Sequence, residues 1–168
     1  SSAMLSILAI GALNFLSSRR ARRQVGNTVI IEARQMFRPN GLIDDLVVYA
    51  TPEEYLSFAE LVGEAIRAKK TVSVSSESVI SIEIVPNEAE EELFTSLQNQ
   101  ANEYLSMDEW NHRNILRVFG NALILSDLQR FLIDLAGRGE GYSYISEYSE
   151  RNAYSSRSPE WRLHVDLN

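Results

Sequence analysis

The chain has 168 residues with no cysteine, two histidines and four prolines. Lack of cysteine excludes disulfides and thiolate metal sites, and leans toward a reducing compartment. His112 and His164 are far apart in sequence, so the spacing suggests no metal pair and no metal site is expected. There is no glycine-rich phosphate loop after a strand. Gly137-Arg138-Gly139-Glu140-Gly141 follows a helical pattern and reads as a helix end. No serine sits in a nucleophile elbow, and nothing brings Asp127, His164 and a serine together. The acids Glu88, Glu90, Glu91 and Glu92 could bind a cation, but they suit the first turn of a helix for dipole reasons alone. The expectation is a protein that is not an enzyme and needs no cofactor.

Charge is uneven. The net charge is −7, yet residues 1–23 hold four arginines (Arg19, Arg20, Arg22, Arg23) and no acid. The remainder has 16 − 4 = 12 basic residues against 23 acidic ones, a balance of −11. Such a body disfavours nucleic acid and favours a basic partner.

Ser1-Ser2-Ala3 before Met4 reads as a cloning remnant. From Leu5 to Leu16 the chain is nearly all apolar, with Ser6, Asn14 and Ser17 on one side of a helical wheel. The arginines follow the apolar run, the reverse of an export signal. As a helix, Leu5–Leu16 would span about 18 Å, short of the ~30 Å core of a bilayer. Three readings stay open: a helix docked on the body or on a second copy of the chain, an interfacial helix with its arginines at anionic headgroups, and a tail without fixed structure.

What the chain does have is an internal repeat at an offset of 70 residues. Leu46-Val47-Val48-Tyr49-Ala50-Thr51 matches Leu116-Arg117-Val118-Phe119-Gly120-Asn121. Tyr55, Phe58, Leu61, Val62, Ala65 and Ile66 meet Leu125, Leu128, Phe131, Leu132, Leu135 and Ala136. The match runs on from Val72-Ser73-Val74 to Tyr142-Ser143-Tyr144, so each unit reads strand, helix, strand, strand.

The first unit, residues 24–86, opens with a hairpin over 28–50 that turns at Arg38-Pro39-Asn40-Gly41. Thr51-Pro52-Glu53-Glu54 then starts a helix with a capping box, running to about Ala68. Residues 87–113 read as a linking helix from Asn87, buried along Leu93, Leu97, Ala101, Tyr104 and Leu105. The second unit, residues 114–168, ends in the alternating strand Trp161–Leu167. That strand matches Ile80–Val85 at an offset of 81, implying an 11-residue insertion within Ser146–Pro159. The fold class expected is α+β and two-layered: two tandem strand-helix-strand-strand repeats, a pseudo-twofold, an antiparallel-rich sheet and the linking helix.

Four of the seven tyrosines lie at Tyr142, Tyr144, Tyr148 and Tyr154, among serines and acids. Tyrosine with serine is the mix of a binding surface. Tyr142 and Tyr144 align with apolar valines and are expected to fill a sheet face. Tyr148 and Tyr154, with Glu140, Glu147 and Glu150, are the candidate partner contacts, because the insertion is least needed by the shared fold.

This short acidic body of strand-helix-strand-strand pattern, ending in Ser158-Pro-Glu-Trp-Arg-Leu-His-Val-Asp-Leu167, resembles the small immunity proteins of bacterial polymorphic and contact-dependent toxin systems. The resemblance implies a non-enzymatic cytoplasmic inhibitor that binds one cognate toxin and blocks a basic active-site cleft. The alternative is an adaptor or regulatory domain held peripherally at the inner membrane through residues 4–23.

Overall fold

The computed structural model describes residues 29–38, 41–74, 76–99 and 112–167. The apolar and basic stretch 4–23 lies outside them. Among the described residues no helix is long and apolar enough to cross a membrane.

Among the described residues the fold is mixed α+β, with two four-stranded sheets and two α-helices. Strand β1 (Ile30–Arg38) and β2 (Gly41–Ala50) form the expected hairpin. Helix α1 (Pro52–Ala68) follows, then β3 (Val72–Val74) and β4 (Ser81–Pro86). Next come β5 (Phe94–Gln98), β6 (Ile115–Gly120), helix α2 (Ala122–Arg138), β7 (Gly141–Tyr144) and β8 (Glu160–Val165). Of the six strand pairings described, four are antiparallel.

The helices begin where side chains can satisfy free backbone N–H groups. Thr51 Oγ1 accepts from the Glu54 amide at 3.2 Å, and Glu54 Oε1 accepts from the Thr51 amide at 2.7 Å. In α2 the side chain of Asn121 accepts from the Ile124 amide at 2.9 Å. Each such cap is worth about 1 kcal/mol. The two helices pack closely at Gly63, where a Cβ would fall 2.5 Å from Gln129 Nε2. That amide instead donates to the Ala59 carbonyl at 3.0 Å.

The sheets exchange strands. Their orders are β1-β2-β8-β7 and β5-β6-β4-β3, so moving β1 and β2 forward, and β8 and β7 back, by four places along the chain turns one order into the other. Parallel pairings at the centre join β2 to β8 and β6 to β4. Segments 24–86 and 114–168 therefore do not make separate sheets, and each sheet contains strands from both. Two isolated bridges add to this: Val29–Ser76 joins the residue before β1 to one just past β3, and Leu93–Tyr154 joins the residue before β5 to the segment between β7 and β8. A single core fills the interior, with Tyr55, Phe58 and Val62 from α1, Leu125, Leu128 and Leu132 from α2, and Leu46, Ile82, Leu116 and Trp161 from the sheets. Burial of each of these side chains contributes about 1.5–3 kcal/mol.

Three expectations need correction. The linking helix is absent over 87–99: a turn at Glu88–Ala89 leads into β5, which pairs antiparallel with β6 as β1 pairs with β2. Ala101, Tyr104 and Leu105 of that expected helix lie outside the described residues.

The offset also changes along the second half. Val72 pairs with Ile84 beside Val118, whereas Ser143 pairs with Leu163 beside Val48. Ser143, 71 residues on from Val72, thus holds the valine's place, and Leu163, 79 residues on from Ile84, holds the isoleucine's. Measured against the pairing of Val72, Ile84 and Val118, the second half is longer by one residue after α2 and by eight between β7 and β8, in place of the eleven expected at one site.

The extra residue turns β7 over, because a one-residue slip sends every side chain to the opposite face. Ser143 and Ile145 point inward, and Tyr142, expected inside, is 54% exposed.

Candidate partner-binding surface

The inserted segment is folded down by its own side chains. Ile145 is fully buried at the head of a short 3-10 turn, Ile145–Glu147. The amide and hydroxyl of Ser146 donate to the Glu160 carboxylate at 3.1 and 2.8 Å. Asp127 on α2 accepts from the Ser149 hydroxyl at 3.4 Å and faces Arg151 at 3.7 Å and Arg130 at 3.8 Å. The imagined grouping with His164 is not formed by these contacts: the His164 ring lies between Tyr49 and Tyr142, 5.1 and 5.2 Å from them.

Tyr148 and Tyr154 prove to be structural. Tyr148 is only 6% exposed. Its hydroxyl donates to the Ala153 carbonyl at 2.8 Å, and its ring meets that of Tyr154 edge-on. Burial, then the nearby Asp127 carboxylate, push its phenol up to about 12. Tyr154 is raised further, chiefly by burial, with hydrogen bonds to Thr95 and Ser158 opposing the shift. The Tyr148 ring is buried, and the half-buried Tyr154 ring lines an open cleft.

A chain of hydrogen bonds explains why Tyr154 is held. The indole of Trp161 donates to Thr95 Oγ1 at 3.2 Å. That leaves the Thr95 hydroxyl to donate to Tyr154, 3.0 Å away, and Tyr154 to donate to the Pro159 carbonyl. Polar groups buried this deeply are costly unless paired, and each here is paired. Sequence reasoning missed Thr95 and Trp161 in this role; the only signal was a threonine amid apolar neighbours.

The acids remain on the surface. Glu140, Glu147 and Glu150 are exposed, as are Glu88, Glu91 and Glu92. The second group is brought to the insertion by Leu93, whose amide donates to Ala153 at 2.7 Å and whose carbonyl accepts from Ser155 at 3.0 Å. Arg157 nearby is turned onto the face of Phe94, 4.4 Å from its ring centre. Beside these stretches lies an open cleft of about 340 Å³, lined by Ser146, Asn152, Tyr154, Ser155, Ser156, Ser158 and Glu160. It is a cleft of hydroxyls, one amide and one carboxylate, suited to accepting hydrogen bonds from a cationic group. Among the described residues, no group of three or more histidine, aspartate or glutamate side chains could hold a metal ion.

No family model, curated protein or solved structure matches the chain.

Proposed function

We propose that this chain is an immunity protein: a non-enzymatic inhibitor that binds a cognate bacterial toxin and covers a basic active-site cleft. One observation carries the reading. Leu93 is paired with the insertion, so the acids at 88–92 and those at 147–150, far apart in sequence, share one surface beside the serine-lined cleft. Carboxylates gathered in this way steer a basic partner toward them. Glu147 and Glu150 are the contacts retained from the sequence, joined by Glu91, Glu92 and, in the cleft, Glu160. Glu140, between α2 and β7, belongs to the same acidic body. The same proposal holds the two halves to be copies related by an approximate twofold axis, with the insertion as the part released from shared structural duty.

Recovery of the chain from its native cell, with identification of what is bound, tests the reading. A single dominant toxin, whose activity falls in proportion to added protein until the two are equimolar, supports it. A partner whose activity is unaffected at equimolar ratio overturns it. Recovery with lipid in a manner dependent on residues 4–23 would favour the membrane adaptor instead.

A further inference from the structure

The serine-lined cleft holds one carboxylate and no cation of its own. Glu160 opens β8, and its register partner on β2 is a second acid, Asp45. Residues paired across adjacent strands lie on the same face of a sheet, so two negative charges sit side by side there. Among the described residues no basic side chain pairs with either acid, and none lines the cleft. The arginines of the insertion are engaged elsewhere: Arg151 faces Asp127 at 3.7 Å, and Arg157 lies over Phe94, 4.4 Å from its ring centre. The two oxygens of Glu160 accept one bond each from Ser146. A carboxylate has about four accepting sites, so each oxygen keeps capacity for a donor from outside.

The walls of the cleft are set by the fold. The Ser158 amide donates to the Ser155 carbonyl at 3.0 Å, and Ser158 Oγ accepts from the Thr95 amide at 3.0 Å. Tyr154, which lines the cleft, is anchored through the Pro159 carbonyl. Asn152 turns the wall with a φ of 51°, a left-handed conformation that asparagine adopts more readily than most residues.

We propose, on the reading that the partner is a basic protein, that this cleft receives one of its arginine side chains, with the guanidinium against Glu160 and the Tyr154 ring. At about 340 Å³ the cleft is near the lower end for small-molecule sites, a size that suits one long side chain. A guanidinium carries five N–H donors and accepts nothing. It complements a lining of one carboxylate, one amide and several hydroxyls that can each turn to accept. Its plane also stacks on aromatic rings, as Arg157 lies on Phe94. An ammonium gathers its three donors on one atom and reaches fewer of these acceptors at once. A neutral group would leave the Glu160 charge uncompensated.

Titration of blocked arginine, acetylated and amidated, into the isotope-labelled full chain tests this by amide NMR. The expected result is saturable shifts at Ser146, Asn152, Ser155 and Ser158, with a Kd of about millimolar order because one side chain is bound. Blocked citrulline has the same shape without the charge and should bind at least roughly tenfold more weakly, the scale of one charged hydrogen bond. Blocked lysine should fall between the two. Glu160→Gln should weaken blocked arginine by a similar factor. Glu160 also holds Ser146, so that variant can loosen the insertion, and Ser156→Arg serves as the second. Ser156 is exposed in the cleft lining. An arginine there supplies a guanidinium from the chain itself and should weaken the probe with the melting temperature unchanged. Absence of saturable shifts with blocked arginine overturns the inference and leaves the immunity reading standing, since the acids at 88–92 and 147–150 do not line the cleft. Citrulline bound as tightly as arginine overturns it in favour of a neutral polar ligand, and lysine bound as tightly overturns it in favour of any cation. A basic partner that is not a toxin, with the arginine probe bound as expected, overturns the immunity reading alone.

Discussion

The Tyr55 hydroxyl donates to the backbone carbonyl of His164 at 2.6 Å, joining α1 to β8 across 109 residues. Tyr55 is fully buried, so the bond sits where water cannot replace it. Tyr55→Phe should cost about 1–3 kcal/mol, the penalty for a buried polar group losing a partner. Urea denaturation monitored on both secondary structure and Trp161 checks this. Because each sheet contains strands from both halves, the two signals should fall in one transition. Two separated transitions would show the halves folding independently.

Val62 and Leu132 are each fully buried at matching places on α1 and α2. Val62→Ala and Leu132→Ala should each destabilise by about 1–5 kcal/mol, with the leucine costing more because it leaves the larger cavity. Equilibrium denaturation giving less than ~0.5 kcal/mol for both would contradict the shared core.

The helices were legible because their signals are local. Thr51, Pro52 and Glu54 announce α1 within four residues, and the apolar stripes of both helices repeat without a gap. Strand β5 was hidden for a reason visible in its packing. Its inward positions are Leu93, Thr95 and Leu97, and the middle one is polar because Trp161 and Tyr154 bond it from some sixty residues away. With threonine read as polar, the leucines four apart look helical, and the acids before them look like a helix start. The tyrosines were misassigned by a single residue in the connection after α2, which sequence alignment at fixed offset cannot place. That residue exchanges inside for outside at Tyr142 and Tyr144. Tyr148 and Tyr154 were read as display residues from composition, although their hydroxyls close bonds that only the folded insertion creates.

Raised phenol ionisation gives the insertion an alkaline limit. Unfolded tyrosine ionises near pH 10, while Tyr148 in the fold is held up to about 12 and Tyr154 is held higher still. The folded state therefore keeps protons that the unfolded state has lost, and stability falls as pH rises. The contribution is intact below about pH 10 and is lost as pH passes through the window to about 12. Titrating stability against pH should show this fall, and Tyr148→Phe should make it shallower while lowering stability at neutral pH. An equally steep fall in the variant would place the ionising group elsewhere.

Charge reversal at the insertion tests the proposed surface. Glu147 and Glu150 are exposed, and changing both to lysine shifts the net charge from −7 to −3. Such surface changes usually move stability by less than about 0.5 kcal/mol, so the melting temperature should hardly change. Association with a basic toxin should slow by roughly tenfold at low salt, the scale of electrostatic steering. At about 1 M salt, screening over ~3 Å should bring the variant and parent rates together. Glu91→Lys with Glu92→Lys should act in the same direction, because Leu93 holds that stretch against Ala153 and Ser155. Leu132→Ala offers the contrast: it should weaken the fold and leave the on-rate nearly unchanged, since its side chain is fully buried in the core. Rates measured by stopped flow at both salt concentrations decide the matter. If both double variants associate as fast as the parent at low salt, with the fold intact, the acidic surface is not where the partner lands.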